Sequence, residues 1–239
     1  MRPILVACLL SFAANICFAQ EILSQPPETI DPAKKYLFFL HGLSVEQQGP
    51  DAYSREFKKV NQSTAVAKAL ASLGYVVLTE ARPKGTRVQA YANKIVAQVQ
   101  QLLAAGVPTK SIALVGHSKG GYITIAAATK LAAPDISYAV LAGCTLPATH
   151  NIAGVDARAT YEALVAEPQG QLAGRFLSLY DTTDAWMGSC GELQGANPKI
   201  ELQEAAIESG MAAGMGHSLF YAPDPIWMKP LADWLRRGN

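Results

Sequence analysis

A serine lies at the centre of the pentapeptide GHSKG, residues 116–120, which fits the pattern G-x-S-x-G. The apolar run Ser111–Val115 precedes the pentapeptide, and a helix-forming stretch, YITIAAATKLAA, follows it. A sharp turn between a buried strand and a helix strains the serine backbone and exposes the hydroxyl, and glycines two residues before and after leave space for that turn. An ordinary glycine-rich turn is the alternative. The context favours Ser118 as a nucleophile.

The hydroxyl of a nucleophilic serine needs a base that takes its proton, and the chain has four histidines. His217 lies in the glycine-rich segment GMGHSLFY, which can bring an imidazole to a serine on another element. His41 ends an apolar run, and His150 lies in a later loop. His117 adjoins Ser118, so its side chain is expected to point away from the position of the base. His217 is the candidate base, and a surface loop histidine is the alternative.

The base in turn needs a carboxylate that orients it. The segment RFLSLYDTTDAWMGSC, residues 175–190, carries Asp181 and Asp184 just after an apolar run. Both carboxylates are candidates on the residues alone.

Six apolar runs read as strands, and amphipathic segments between them read as helices. Runs that are apolar throughout, rather than alternating, are typical of strands buried on both faces of a parallel sheet. The six runs are Tyr36–Leu40, Tyr75–Thr79, Ser111–Val115, Ile136–Ala142, Arg175–Tyr180 and, least clearly, Lys199–Ala205. The alternation predicts an α/β fold, with a mostly parallel sheet of about six strands and helices on both faces.

Three of the helices have clear boundary signals. Apolar residues at 3-4 spacing predict a helix from Val88 to Leu103. Ser63 is a candidate cap for a helix that Gly74 closes. Asp224-Pro225 predicts the start of the last helix, which Pro230 could bend or delay.

A strand, GHSKG and a helix, followed by a strand-end aspartate and then a loop histidine before a final helix, resemble the α/β-hydrolase fold family. Within that family the chain looks like a small, lid-poor serine esterase or lipase. The resemblance runs from about Tyr36 onward and implies a triad in the order Ser118, Asp184, His217. In many members the acid ends a G-x-x-D turn; YDTTD matches with Asp181 at the glycine position, which implies Asp184 as the acid and Asp181 as the fallback.

The resemblance also implies an oxyanion hole made of two backbone N–H groups. One belongs to Lys119, the residue after the nucleophile. The other is taken from the loop after an early strand, where HGLS at residues 41–44 makes Leu43 the candidate donor. His41 then has a structural role in that loop.

The first nineteen residues read as a signal peptide. Arg2 is followed by an apolar core too short to span a bilayer, and Ala19 is a plausible cleavage point. A buried helix or a membrane anchor is the alternative. The expected organisation is residues 1–19 as a signal and residues 20–239 as one α/β-hydrolase domain, in a periplasmic or secreted protein.

Two cysteines, Cys144 and Cys190, remain after the signal. An oxidising compartment invites a disulfide between them, and two buried free thiols are the alternative. The family placement puts both cysteines in loops at the same sheet edge, which implies a disulfide that braces the loop of Asp184.

Composition excludes several functions. The formal net charge is +1, with no basic block that would indicate nucleic-acid binding. No metal-ligand cluster, phosphate loop or nucleotide fingerprint is found, so no cofactor and no metal are expected. The remaining expectation is an exported serine hydrolase that cleaves a small-molecule carboxylic ester through an acyl-enzyme, without a membrane span after signal cleavage. Acyl transfer, amide or peptide cleavage, and a catalytically silent binding protein are the alternatives.

Other features bear on the substrate. Arg82, Lys84 and Arg87 either contact an anionic substrate or form a solvated loop. Residues 145–174 hold about one helix, near residues 157–166, which predicts an open or shallowly covered cleft. Four aromatic residues line an apolar acyl pocket or belong to the core: Tyr122, Trp186, Phe220 and Tyr221.

Overall fold

The strands and helices are taken from a computed structural model, which describes residues 21–152, 154–166 and 172–238. The predicted signal, residues 1–19, lies outside the described residues. The strands are β1 (Ile22–Leu23), β2 (Lys35–Leu40), β3 (Tyr53–Ser54), β4 (Lys59–Val60), β5 (Tyr75–Leu78), β6 (Ile112–His117), β7 (Ser137–Leu141), β8 (Asn151–Ile152), β9 (Val155–Asp156), β10 (Gly174–Asp181) and β11 (Ile200–Ile207). The helices are α1 (Leu43–Gln48), α2 (Ser63–Ala71), α3 (Val88–Ala104), α4 (Lys119–Leu131), α5 (Ala157–Ala166), α6 (Gly191–Ala196) and α7 (Pro225–Arg237), with short 3-10 helices at Thr109–Ser111 and Gly216–Tyr221.

A seven-stranded parallel sheet forms the centre of the fold, in the order β1-β5-β2-β6-β7-β10-β11. The α/β class and the six predicted strands are confirmed. The seventh strand, β1, is only two residues long and pairs with the outer side of β5. Two apolar residues give no periodic pattern, so this strand was beyond sequence-based prediction.

The central strands are buried on both faces, which explains their unbroken apolar sequences. Every residue of β6 is buried, as are Tyr36–Leu40 in β2. Helix α4 packs on β6 and β7, and α7 packs on β10 and β11, so helices flank the sheet. Burying a Val, Leu or Phe side chain contributes about 1.5–3 kcal/mol, so these strands supply much of the driving force for folding.

The helix boundaries follow the predicted signals with one exception. Asp224 caps α7 by accepting a hydrogen bond from the backbone N–H of Ile226, and Pro230 lies inside the helix without delaying its start. Ser63 is the first residue of α2 rather than its cap; the cap position is Gln62. Two small antiparallel hairpins, β3–β4 and β8–β9, were not predicted.

Cys144 and Cys190 form a disulfide, with Cα atoms 5.2 Å apart. Backbone hydrogen bonds join the same two segments: Gly188 N–H donates to the Cys144 carbonyl, and Leu146 N–H donates to the Trp186 carbonyl. The segment that follows β7 is thereby fixed to the loop that follows β10. Among the described residues, no helix combines the length and apolar character that crossing a membrane requires.

Reducing this disulfide is expected to lower the free energy of unfolding by about 4 kcal/mol, because the bond closes a long loop in the unfolded chain. Its cysteines are 46 residues apart. Urea denaturation with and without reductant measures the change, and a Cys144→Ala/Cys190→Ala variant should not respond to reductant. Two thiols that alkylate in the native, unreduced protein would show that the bond is absent.

Candidate active site

Ser118 lies at the turn between β6 and α4, in a backbone conformation that non-glycine residues rarely adopt, with φ 54° and ψ −122°. Strain of this kind costs about 1–3 kcal/mol and is found mainly at functional sites. The flanking glycines make the turn possible. A Cβ at Gly116 would lie 2.2 Å from the Gly120 carbonyl oxygen, and one at Gly120 would lie 1.8 Å from the Leu40 carbonyl oxygen. A side chain at Gly116 would open the turn, and one at Gly120 would push α4 away from the end of β2.

His217 lies in the 3-10 helix before α7 and is held by Asp184. Its Nδ1 is 2.8 Å from Asp184 Oδ2, and both side chains are buried. The other carboxylate oxygen, Oδ1, accepts hydrogen bonds from the N–H groups of Trp186 and Met187. The carboxylate is thus fixed by its own loop and orients the imidazole. Both His217 and Ser118 line the same cleft.

Asp181, the alternative acid, does not contact His217. Its Oδ1 accepts hydrogen bonds from the N–H and hydroxyl of Thr183, and its Oδ2 accepts one from Ser209 N–H. Burial raises the pKa of Asp181, but the hydrogen bonds from Ser209 and Thr183 outweigh burial and hold the pKa below its usual value. Asp181 therefore closes the turn that presents Asp184.

Aromatic rings surround the His217 imidazole. Phe57 stacks on it with ring centroids 5.7 Å apart, and Trp186 contacts it edge-on at 5.5 Å. His117 lies 5.0 Å away, between centroids. The expectation that His117 points away from the base is wrong: its ring is buried against His217. Burial and the neighbouring His217 lower the pKa of His117 well below its usual value, so His117 is neutral.

The other two histidines lie outside this cluster. His150 is exposed. His41 is buried at the end of β2, where its Nε2 accepts a hydrogen bond from Arg82 N–H and its Nδ1 is 2.8 Å from the Gly42 carbonyl oxygen. These contacts fit only the neutral tautomer with the proton on Nδ1. His41 holds the loop that begins at Gly42.

The predicted oxyanion residues, Leu43 and Lys119, are the first residues of α1 and α4. The N–H groups at the start of a helix have no intrahelical acceptor. The loop before α1 lies directly against Ser118: a Cβ on Gly42 would be 3.3 Å from Ser118 Cβ and 3.0 Å from His117 Nδ1. The start of α1 therefore lies beside Ser118, the residue that directly precedes α4.

Solved structures show which proteins share the fold of this chain. Est1E from Butyrivibrio proteoclasticus is 13% identical with a TM-score of 0.54, over 89% of this chain and 90% of that protein. A lipase-esterase related protein from Clostridium acetobutylicum is 14% identical with a TM-score of 0.51, over 88% of this chain and 97% of that protein. The dipeptidyl peptidase 4 of Porphyromonas gingivalis is 18% identical with a TM-score of 0.52, over 89% of this chain and 32% of that protein. The chain has the α/β-hydrolase fold. No protein-family model matches the chain, and no curated protein is similar to it in sequence.

A buried ionic network lies between α1, α4 and the β5–α3 loop of this α/β-hydrolase fold. Glu46 of α1 binds Arg82 Nε through Oε2 at 3.3 Å and Lys119 Nζ through Oε1 at 2.7 Å. Arg82 also donates from Nη2 to the His41 carbonyl at 2.5 Å. The side chains of Glu46 and Arg82 are each 1% exposed. Glu46 therefore joins α1 to α4, the two helices that begin at the candidate oxyanion residues.

This network corrects the expectation for the basic residues of the β5–α3 loop. Arg82 is neither solvated nor directed at a substrate, because its guanidinium is buried against Glu46. Burial lowers the pKa of Arg82, and the Glu46 charge opposes that shift. Lys84 and Arg87 are exposed, and Arg87 lines a cleft beside Ser118. Sequence reasoning missed Glu46, for which HGLSVEQQ gives no distinct signal.

Two clefts meet at Ser118. One, of about 420 Å³, is lined by His217, by the aromatic rings of Phe57, Trp186 and Tyr221, and by polar side chains that include those of Ser44, Gln47, Gln48, Ser54, Arg55 and Glu56; we term it the polar cleft. The other, of about 550 Å³, has a mostly apolar surface, to which Val88, Tyr122, Val155, Ala157 and Met187 contribute; we term it the apolar cleft. Leu43, Ser118 and Ile152 line both.

The aromatic residues predicted at an acyl pocket divide between these clefts and the core. Tyr122 lines the apolar cleft, whereas Trp186 and Tyr221 line the polar cleft. Phe220 is buried against His117 and Trp227 and lines neither. The β8–β9 hairpin contributes Ile152 and Val155 to the apolar cleft. Helix α5 is found where one helix was predicted in residues 145–174, and the hairpin is an additional element that precedes it.

Acid is expected to destabilise the fold before its carboxylates titrate. Burial and the Arg82 charge lower the pKa of His41 to about 3, and an unfolded histidine titrates near 6.5. As the pH falls below about 6.5, the unfolded chain therefore binds a proton on His41 that the folded protein does not bind. This binding favours the unfolded chain, so the free energy of unfolding falls. We expect a decline of up to about 1.4 kcal/mol per pH unit for each of His41 and His117 between pH 6.5 and 5.

Urea denaturation at several pH values in this interval measures the slope. His150→Asn is the control, because His150 is exposed and its removal should leave the slope unchanged. A free energy of unfolding that stays constant from pH 6.5 to 5 would contradict the prediction.

Proposed function

We propose that the protein is an exported serine hydrolase that cleaves carboxylic esters through a Ser118–His217–Asp184 triad. The observation that carries the proposal is the buried 2.8 Å contact of His217 Nδ1 with Asp184 Oδ2, in a cleft that ends on the strained Ser118. An oriented imidazole beside an activated serine is the arrangement that nucleophilic acyl chemistry requires.

Each residue has one role in the proposed reaction. Ser118 Oγ attacks the acyl carbon and passes its proton to His217 Nε2, while Asp184 holds the Nδ1 proton of His217. The N–H groups of Leu43 and Lys119 stabilise the oxyanion. His217 then protonates the departing alcohol, which leaves an acyl group on Ser118. Water, deprotonated by His217, attacks that acyl-enzyme and releases the acid and the free serine.

Both export and the reaction class rest on further observations. A disulfide of two buried cysteines, Cys144–Cys190, suits an oxidising compartment, in accord with the signal pattern of residues 1–19. The intact mass of the exported protein should match a chain that begins at Gln20. The fold is shared with Est1E and with a dipeptidyl peptidase. Ester cleavage is the primary proposal, and amide cleavage or acyl transfer would use the same groups.

Labelling with a fluorophosphonate tests the nucleophile. One adduct per chain is expected, and peptide mapping should place it on Ser118. Ser118→Ala should abolish labelling, whereas Ser72→Ala, which removes an exposed hydroxyl at the end of α2, should not. A panel of aryl esters then measures turnover. A folded protein that neither labels nor hydrolyses any ester would instead be a binding protein.

A further inference from the structure

The two clefts at Ser118 differ in chemistry, and only one of them contains the candidate base. His217 lines the polar cleft and not the apolar cleft. Lys119, a candidate oxyanion residue, lines the apolar cleft. Any ester bound at Ser118 must therefore place its two halves in two unlike environments.

The position of His217 decides which half lies where. In the proposed reaction, which this inference requires, His217 must deliver a proton to the oxygen of the departing alcohol. A proton donor must lie within hydrogen-bond reach of the atom that it protonates. The alcohol half therefore lies on the side of His217, in the polar cleft. The acyl half extends to the other side of Ser118, into the apolar cleft.

The walls of the apolar cleft select an apolar acyl group. Val155 of the β8–β9 hairpin lines this cleft together with Val88 and Tyr122, and Met187 adds a flexible apolar side chain. Val155 is 49% exposed, which is unusual for a large apolar residue and gives an acyl chain apolar surface to cover. Each buried methylene contributes about 0.8 kcal/mol. Thr86, Arg87, Gln89, Lys119 and Thr160 also line the cleft, but most of its surface is apolar, so an apolar acyl group buries more apolar surface here than a hydroxylated one.

The walls of the polar cleft select a hydroxylated alcohol. The amides of Gln47 and Gln48 and the hydroxyl of Ser54 can each donate and accept hydrogen bonds. Arg55 and Glu56 add one positive and one negative group, so the lining has no net charge that would select an ionic alcohol. Groups that both donate and accept match the hydroxyls of a neutral polyol. A plain alkyl alcohol offers the amides of Gln47 and Gln48 no hydrogen bond beyond its single oxygen.

We propose that the substrate class is an ester of an apolar carboxylic acid with a neutral polyhydroxylated alcohol, such as a glycerol or sugar ester. The apolar cleft holds the acid, and the polar cleft holds the alcohol.

Two isomeric esters test the proposal, because they exchange the two halves about one ester bond. In 1-octanoylglycerol the acyl half is apolar and the alcohol is hydroxylated. In octyl glycerate the acyl half is hydroxylated and the alcohol is apolar. We expect kcat/KM for 1-octanoylglycerol to exceed that for octyl glycerate by roughly 100-fold, with both esters below the concentration at which they aggregate.

Variants test which cleft holds which half. Val155→Asp should reduce the ratio of kcat/KM for 1-octanoylglycerol to that for 1-acetylglycerol by about tenfold, since a carboxylate replaces an apolar wall. Ile226→Asp is the matched control: Ile226 is also an exposed apolar residue, at 42%, but lines neither cleft, so the ratio should not change. Gln48→Leu should lower the preference for 1-octanoylglycerol over octyl octanoate.

The outcomes separate this inference from the proposed function. Equal or reversed preference between the two isomers, with Ser118 still acylated, would overturn the substrate class alone. Hydrolysis of aryl esters but of neither isomer would also overturn it. A failure of Ser118 to become labelled or acylated by any reagent would overturn the proposed function itself.

Discussion

Asp184→Asn is expected to lower kcat by about 10⁴-fold, whereas Asp181→Asn should lower it by less than about tenfold. Asp184 accepts a hydrogen bond from His217 Nδ1, and its other oxygen is already occupied by the N–H groups of Trp186 and Met187. An asparagine that keeps those two contacts must turn its NH₂ group toward His217. The imidazole would then carry its proton on Nε2 and could not accept one from Ser118.

The matched variant separates the two aspartates by role. Within the described residues the Asp181 carboxylate accepts hydrogen bonds only from Thr183 and Ser209, so Asp181→Asn should loosen the turn and lower the free energy of unfolding by about 1 kcal/mol. Steady-state kinetics and urea denaturation of both variants measure the two effects. A larger loss of kcat in Asp181→Asn than in Asp184→Asn would show that the acid is assigned to the wrong residue.

Glu46→Gln is expected to lower the free energy of unfolding by about 3 kcal/mol or more and also to lower kcat. Removing one partner of a buried ion pair leaves the other charge desolvated and unpaired. Arg82 cannot reach water, since its side chain is 1% exposed, whereas Lys119 is 18% exposed and can turn outward. Urea denaturation measures the loss. Asp233→Asn, which breaks ion pairs on the surface of α7, is the control and should have no measurable effect.

The kinetics of Glu46→Gln distinguish a role in positioning the candidate oxyanion donors from a role in stability alone. Glu46 links α1 to α4, so its loss should let the starts of the two helices separate. Donors to an oxyanion act in the transition state, so kcat should fall while KM stays nearly constant. An unchanged kcat in folded Glu46→Gln would show that the network serves stability only.

The strands of the sheet were predictable because each buried strand is a local apolar run. Tyr36–Leu40 and Ser111–Val115 needed no knowledge of their partners. Strand β1 was not predictable, because two residues form a strand only when β5 offers a free edge. Each strand of the β8–β9 hairpin is also only two residues long, so the hairpin gives no apolar pattern either. Its turn contains Gly154 at φ 79°.

The candidate site was predictable to the extent that it follows a linear order of motifs. The turn between β6 and α4 at Ser118, and the loops that carry Asp184 and His217, occur where that order of motifs predicted them. The burial of Arg82 was not predictable, because a charged residue is buried only with a partner, and Glu46 comes from a helix 36 residues earlier in the chain. The chemistry of the clefts also depends on side chains from separate loops, which no single motif contains.

The outer strands of the sheet have a consequence for the chain while it folds. An exposed strand edge is a template on which another chain can add, and proteins prevent this with short strands or charged residues. Among the described residues, β1 ends one side of the sheet with only two residues. On the other side, β11 places Glu201, Gln203 and Glu204 between its buried ends, Ile200 and Ile207. Both edges therefore disfavour pairing with a second copy of the chain, which reduces aggregation while the chain folds.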